Sequence, residues 1–104
     1  MKGLKDQVII VTGGAGGIGG ATCKRLAQEG AKVAVFDMNL AAAQRVVDEI
    51  KNAGGTALAV QCDITNKEVV DQSIVIAEAE LGAIDGLVNN AGWDIFKPFI
   101  KSTP

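Results

Sequence analysis

Residues 7–19 read Gln7-Val8-Ile9-Ile10-Val11-Thr12-Gly13-Gly14-Ala15-Gly16-Gly17-Ile18-Gly19. The first six form a β-branched apolar run with no polar alternation, the pattern of a strand buried on both faces. Residues 13–20 then hold six of the chain's 13 glycines. A helix pattern follows over 18–29, with Ile18, Ala21, Thr22 and Leu26 on one face and Gly30 where the helix should end. Glycine suits such a strand-to-helix turn for three reasons. It leaves the strand sharply, lets a diphosphate approach without meeting a Cβ, and lets the helix pack close to the strand. The helix's free N–H groups and positive dipole end then face the phosphates. Residues 14–19 satisfy G-x-G-x-x-G, which glycine-rich tracts match easily; the strand before and the helix after give the match its weight. The competing reading is a glycine turn without a ligand.

The same rhythm continues along the chain. Residues 31–36 form a second strand ended by Asp37, and Leu40, Ala43, Val47 and Ile50 mark a second amphipathic helix stopped by Gly54-Gly55. A third strand spans 56–62. Thr65-Asn66-Lys67-Glu68 reads as a capping box opening a third helix, whose apolar face is Val70, Ile74, Ala77 and Leu81. Residues 84–89 form a fourth strand. The order β-α-β-α-β-α-β with short connections implies an α/β, Rossmann-like doubly wound parallel sheet with right-handed crossovers.

Two acids fall at strand ends. Asp37 lies 18 residues beyond Gly19, near the spacing of a carboxylate that accepts from ribose hydroxyls, with Met38 beside it. A 2′-phosphate there meets like charge, about 4 kcal/mol per charge pair at 4 Å in an effective dielectric of 20. No Lys or Arg stands at 13–18 or 38–40 to offset it, so NAD is favoured over NADP. The alternative is a solvated or helix-capping Asp acting with Asn39. Asp63, followed by Ile64, ends the third strand on the same sheet edge, where it can accept from an adenine amino group or cap the next helix.

Composition narrows the function classes. The 104 residues carry ten Lys plus Arg against twelve Asp plus Glu, for a net charge of −2. The first 52 residues are +2 and the last 52 are −4, so neither half offers a nucleic-acid footprint. Hydrophobic content of 48% excludes a disordered chain. No apolar stretch approaches a membrane span, and the start of the chain has no secretory pattern. Cys23 and Cys62 make neither a disulfide framework nor a metal site, and both read as buried structural thiols. A cytoplasmic protein is expected. Glu68, Asp71, Glu78 and Glu80 read as a solvated helix face.

Thr12-Gly13-x-x-x-Gly17-x-Gly19, Asp37, Asp63 and Asn89-Asn90-Ala91-Gly92 together resemble the short-chain dehydrogenase/reductase family. The resemblance covers every expected element. It implies an NAD-dependent oxidoreductase that moves hydride between a secondary alcohol or ketone and the nicotinamide. It places Gly13, Gly14, Gly16, Gly17, Ile18 and Gly19 at the diphosphate, Asp37 and Met38 at the adenosine ribose, and Asp63 with Ile64 at the adenine. Asn90, Ala91 and Gly92 fall beside the nicotinamide ribose, with Thr12 and Asn89 bracing the central strands. Family members usually run to about 250 residues, often as tetramers, with a catalytic Ser and Tyr-x-x-x-Lys in the second half. This sequence has no Tyr and no His. It also ends in Ser102-Thr103-Pro104, a helix-start signal. The 104 residues therefore read as the cofactor-binding front portion of one longer domain, with no catalytic residue of their own.

Trp93-Asp94-Ile95-Phe96-Lys97-Pro98-Phe99 is similar to 2-hydroxycyclohexanecarboxyl-CoA dehydrogenases, which implies an alicyclic acyl-CoA substrate. The simpler reading makes these apolar residues core packing. Two rival functions remain: an NAD-binding relative without chemistry, and a methyltransferase using S-adenosylmethionine, which also follows its first strand with a glycine loop.

Overall fold

The computed structural model describes residues 3–90. β1 (Val8–Thr12) is buried at every position, as its unbroken apolar run requires. It is followed by α1 (Gly17–Gln28), β2 (Lys32–Asp37), α2 (Leu40–Asn52), β3 (Thr56–Gln61), α3 (Lys67–Leu81) and β4 (Ile84–Asn89). The strands are all parallel and lie in the order β3-β2-β1-β4.

Alternate strand residues feed two cores. Ile9, Val11, Val33 and Val35 meet Ala43, Val46, Val47 and Ile50 of α2 and Cys23 of α1. Ile10, Ala34, Phe36 and Val60 face the other way, onto Val70 and Ala77 of α3. This two-sided burial is why β1 and β2 carry no polar alternation.

At the start of β4 the register with β1 shifts between Val8 and Ile9. The carboxylate Oδ2 of Asp85 accepts the Val8 N–H at 2.8 Å, so the irregularity does not leave that donor bare.

Two details differ from the sequence expectation. Ile18 is 79% exposed and Ala21 is also exposed, whereas the buried face of α1 is Gly19, Gly20 and Cys23. At Gly19 the helix lies too close to the glycine loop for any side chain. A Cβ on Gly19 would lie 2.1 Å from the Gly13 carbonyl oxygen, and one on Gly14 would lie 2.8 Å from Val35 Cγ1.

The start of α3 also moves by one residue. Asn66, not Thr65, is its cap, accepting the Val69 N–H at 3.2 Å. The Thr65 hydroxyl is already committed, donating to Asp63 Oδ1 at 2.6 Å.

Gly19→Ala is expected to destabilise the protein by at least about 3 kcal/mol, the upper range for overpacking against an atom that has nowhere to go. Urea unfolding followed by circular dichroism measures it. Among the described residues β4 pairs with β1 alone, and an open parallel edge invites pairing with another chain. The 104 residues by themselves are expected to self-associate; light scattering that shows a monomer at high concentration would contradict this.

Candidate functional site

The carboxyl ends of β1, β2 and β3 converge on one edge of the sheet, and the glycine loop leaves from its centre. Gly13 adopts φ +64, a left-handed conformation that glycine alone enters freely. Its N–H donates to the Phe36 carbonyl at 2.9 Å, and that of Gly14 donates to the same oxygen at 3.3 Å. The β2 end therefore holds the loop from its first residue.

The loop's glycines divide by what they face. Gly14 and Gly19 have no room for a side chain. Gly17 has nothing within 4 Å of the place a Cβ would take, and Gly16 only the Gly13 carbonyl at 3.7 Å. Gly16 has an ordinary extended backbone, φ −73, and neither glycine has positive φ. Neither packing nor backbone conformation demands glycine at 16 or 17; Gly16 is the N-cap, a position that favours glycine over Ala, whereas Gly17 is helical, where glycine costs about 1 kcal/mol against Ala. The space outside Gly17 is open to a group approaching the backbone. The α1 terminus beside them has no side-chain cap, whereas Asn39 and Asn66 cap α2 and α3. Its first N–H groups remain available to an anion.

Asp37 ends β2 and reaches into the loop. Its Oδ2 accepts the Ala15 N–H at 3.1 Å and its Oδ1 the Asn39 N–H at 2.9 Å. The carboxylate thus braces the loop against the β2–α2 turn. Gln61 Nε2 donates to the Met38 carbonyl at 3.1 Å and steadies the same turn. Gly13, Asp37, Met38, Asp63 and Ile64 line one open cavity of about 260 Å³, together with Phe36, Cys62 and Thr65. Asp63 accepts both the hydroxyl and the amide N–H of Thr65. The hydroxyl first, then the amide, holds its carboxyl below the usual carboxylate range, so it stays an acceptor at neutral pH.

On the β4 side Thr12, almost wholly buried, donates its hydroxyl to Asn89 Oδ1 at 2.9 Å, and its carbonyl accepts the Asn90 N–H at 3.2 Å. This hydrogen bond ties β1 to β4, a pairing of Thr12 with Asn89 that the family resemblance implied. It sets Asn90 next to the start of the loop, where its side-chain Nδ2 is buried with no hydrogen-bond partner among the described residues. An orphaned buried donor is costly and marks a place for an acceptor. Ala91, Gly92 and the segment 93–99 lie outside the described residues.

Both cysteines are buried, as expected. Burial pushes the Cys23 thiol up to about 12, so it is no nucleophile at neutral pH. Burial also raises Cys62. Among the described residues no cluster suits a metal ion, and no helix is long and apolar enough to cross a membrane.

The sequence model for short chain dehydrogenases matches residues 7–104. The chain belongs to the short-chain dehydrogenase family. This membership sets aside the methyltransferase reading. The chain is 45% identical over 99 residues to an uncharacterized oxidoreductase, YuxG, of Bacillus subtilis, covering 93% of this chain and 14% of that one. It is 44% identical over 96 residues to the 7alpha-hydroxysteroid dehydrogenase of Escherichia coli, covering 92% of this chain and 38% of the relative.

Among solved structures, a hydroxysteroid dehydrogenase from Escherichia coli superposes with a TM-score of 0.82 at 41% identity, over 88% of this chain and 40% of that one. An NAD+-bound xylitol dehydrogenase superposes at 0.81 with 38% identity, over 86% and 35%. These neighbours carry the same Rossmann-like parallel sheet. The short-chain dehydrogenase chain described here thus spans well under half the length of the relatives it matches.

Sequence reasoning missed several members of this site. The Ala15 amide and the Phe36 carbonyl are backbone groups and leave no residue signature. Thr65 was legible, since an Asp two residues before a Thr is a common turn pair.

Gly17→Ala separates ligand binding from folding. It is expected to leave thermal stability unchanged or raise it by up to about 1 kcal/mol, yet to weaken dinucleotide binding at least tenfold, because its methyl group occupies the approach to the backbone. Thermal melts paired with calorimetric titration read both effects.

Proposed function

We propose that this chain is the cofactor-binding portion of an NAD-dependent short-chain dehydrogenase acting on a secondary alcohol or ketone. The observation that carries this reading is the pair of glycines, Gly16 and Gly17, that the protein's own packing does not require. A dinucleotide fits the residues present. Gly13, Gly14, Gly16, Gly17, Ile18 and Gly19 would hold the diphosphate. Asp37 and Met38 would hold the adenosine ribose, and Asp63 and Ile64 the adenine. Asn90, with Ala91 and Gly92, would face the nicotinamide ribose, giving the orphaned Nδ2 its acceptor.

When bound, the nicotinamide supplies the hydride chemistry. The chain's own residues bind and orient. Asp37 contributes a negative charge that takes a ribose diol and repels a 2′-phosphate. The first turn of α1 contributes N–H donors and a positive dipole end. Thr12 fixes the distance between the loop and Asn90 through Asn89. The proton-transfer Tyr of the family is not among these residues, so we assign no catalytic residue here. The complete enzyme in this reading is a single-domain, cytoplasmic homotetramer whose remaining residues carry the chemistry. The Trp93–Phe99 resemblance supports an alicyclic 2-hydroxyacyl-CoA as its substrate.

Isothermal titration of the full chain with NADH, NADPH and S-adenosylmethionine tests the reading. NADH is expected to bind most tightly, and heat with S-adenosylmethionine alone would overturn the proposal. Asp37→Ser is expected to lower the NADPH-to-NADH ratio of dissociation constants at least tenfold, because the repelling charge is gone. An unchanged ratio removes Asp37 from its role.

A further inference from the structure

The strand-end cavity does not stop at Asp63. A second open cavity, of about 260 Å³, is lined by Met38, Gln61, Asp63 and Val69. Met38 and Asp63 wall both cavities, so these two side chains form the sill between them. Gln61 ends β3, which among the described residues pairs with β2 alone. The second cavity therefore lies at the outer edge of the sheet, on the far side of the sill from the glycine loop.

Met38 and Val69 give this outer recess apolar walls, and Gln61 and Asp63 give it polar ones. Val69 is half-buried in the first turn of α3. Met38 is 65% exposed, and its unbranched thioether chain adapts to whatever it meets. Gln61 Nε2 donates to the Met38 carbonyl at 3.1 Å and ties two of the walls together. Thr65 takes Oδ1 of Asp63 with both its hydroxyl and its amide, which leaves Oδ2 to accept from a ligand. The sill thus carries an acceptor, and the space beyond it favours carbon.

We propose that the outer recess is a subsite for an apolar substituent on the exocyclic amine of an adenine ring, so that the chain binds N⁶-substituted adenine nucleotides more tightly than unsubstituted ones. The inference goes beyond the cofactor reading above and rests on it. The amine of an adenine in the strand-end cavity has two hydrogens. One donates to Asp63. Replacing the other by carbon keeps that donor and sends the substituent over the sill into the recess, where Met38 and Val69 meet it. An apolar cavity of about 150 Å³ admits benzene, so the recess has room for a benzyl group. Unsubstituted adenine has no atom beyond its amine to reach these walls.

Calorimetric titration of the full chain with adenosine 5′-diphosphate and N⁶-benzyladenosine 5′-diphosphate tests the subsite. The parent is expected to bind the benzyl probe about tenfold more tightly, from apolar area removed from water in the recess. Val69→Phe fills the recess with a ring and should abolish that preference with little change for the unsubstituted probe. Ile76→Phe adds the same ring at an exposed position of α3 that lines neither cavity, and should keep the preference. If the Val69→Phe variant does not fold, Val69→Ala carries the comparison: it strips the wall and should cut the preference about threefold. A parent preference below about threefold means that the substituent stays in water, and it overturns the proposal. So does a preference that the Val69 variant leaves intact or that Ile76→Phe removes equally. A parent chain that binds neither NADH nor adenosine 5′-diphosphate defeats the cofactor reading itself, whereas normal binding of both without the benzyl preference defeats this inference alone.

Discussion

No methyl group fits between Gly19 and the carbonyl of Gly13, where a Cβ would come within 2.1 Å of the oxygen. That contact fixes how close α1 lies to the end of β1. With the helix so near, the loop between them has little freedom, and Gly13 turns out of the strand with φ +64. Cys23, one turn further along α1, fills the space beneath the loop, its thiol directed to the Gly14 carbonyl at 3.7 Å. The first turn of the helix is then presented at the sheet's carboxyl edge with its N–H groups outward. Every later feature of the site is positioned relative to this contact.

Glycine is expensive in a helix, about 1 kcal/mol per residue against Ala, and α1 begins with Gly17, Gly19 and Gly20 among its first four residues. The cost is incurred for two different reasons. Gly19 serves packing, because the Gly13 carbonyl in the loop excludes any side chain. Gly17 serves nothing inside the protein, since the space outside it is open. A helix that accepts this cost and also omits a side-chain cap gives up stability where a ligand can return it. Binding to the folded state alone restores stability by mass action.

Asp37 has two duties that pull in different directions. It is a structural acceptor, holding the Ala15 and Asn39 amides, and in the proposed cofactor reading it is also the charge that would select among ligands. The structural duty aims the carboxylate at the loop, which is where a ribose would arrive in that reading. Asp63 shows the same economy. Its turn with Thr65 keeps it ionised while it remains on the wall of the strand-end cavity. Short turns at the ends of parallel strands thus fix the acceptors without any additional scaffold.

The local code of the chain carried the element order, the parallel sheet, the buried thiols and the grouping of Gly13, Asp37, Met38, Asp63 and Ile64 at one edge. Strand and helix periods and turn residues act over short separations, and right-handed crossovers leave few ways to connect them. Local patterns do not say how near two elements approach. The sequence put Ile18 and Ala21 on the buried face of α1, and the interhelical and helix–strand distances put Gly19, Gly20 and Cys23 there instead. Likewise Thr65 reads as a cap until Asp63 takes its hydroxyl. The orphaned Nδ2 of Asn90 was invisible for a further reason. It depends on contacts between residues far apart in the chain, which only packed elements create. Periodicity assigns a residue to a face, and only the tertiary structure decides what that face meets.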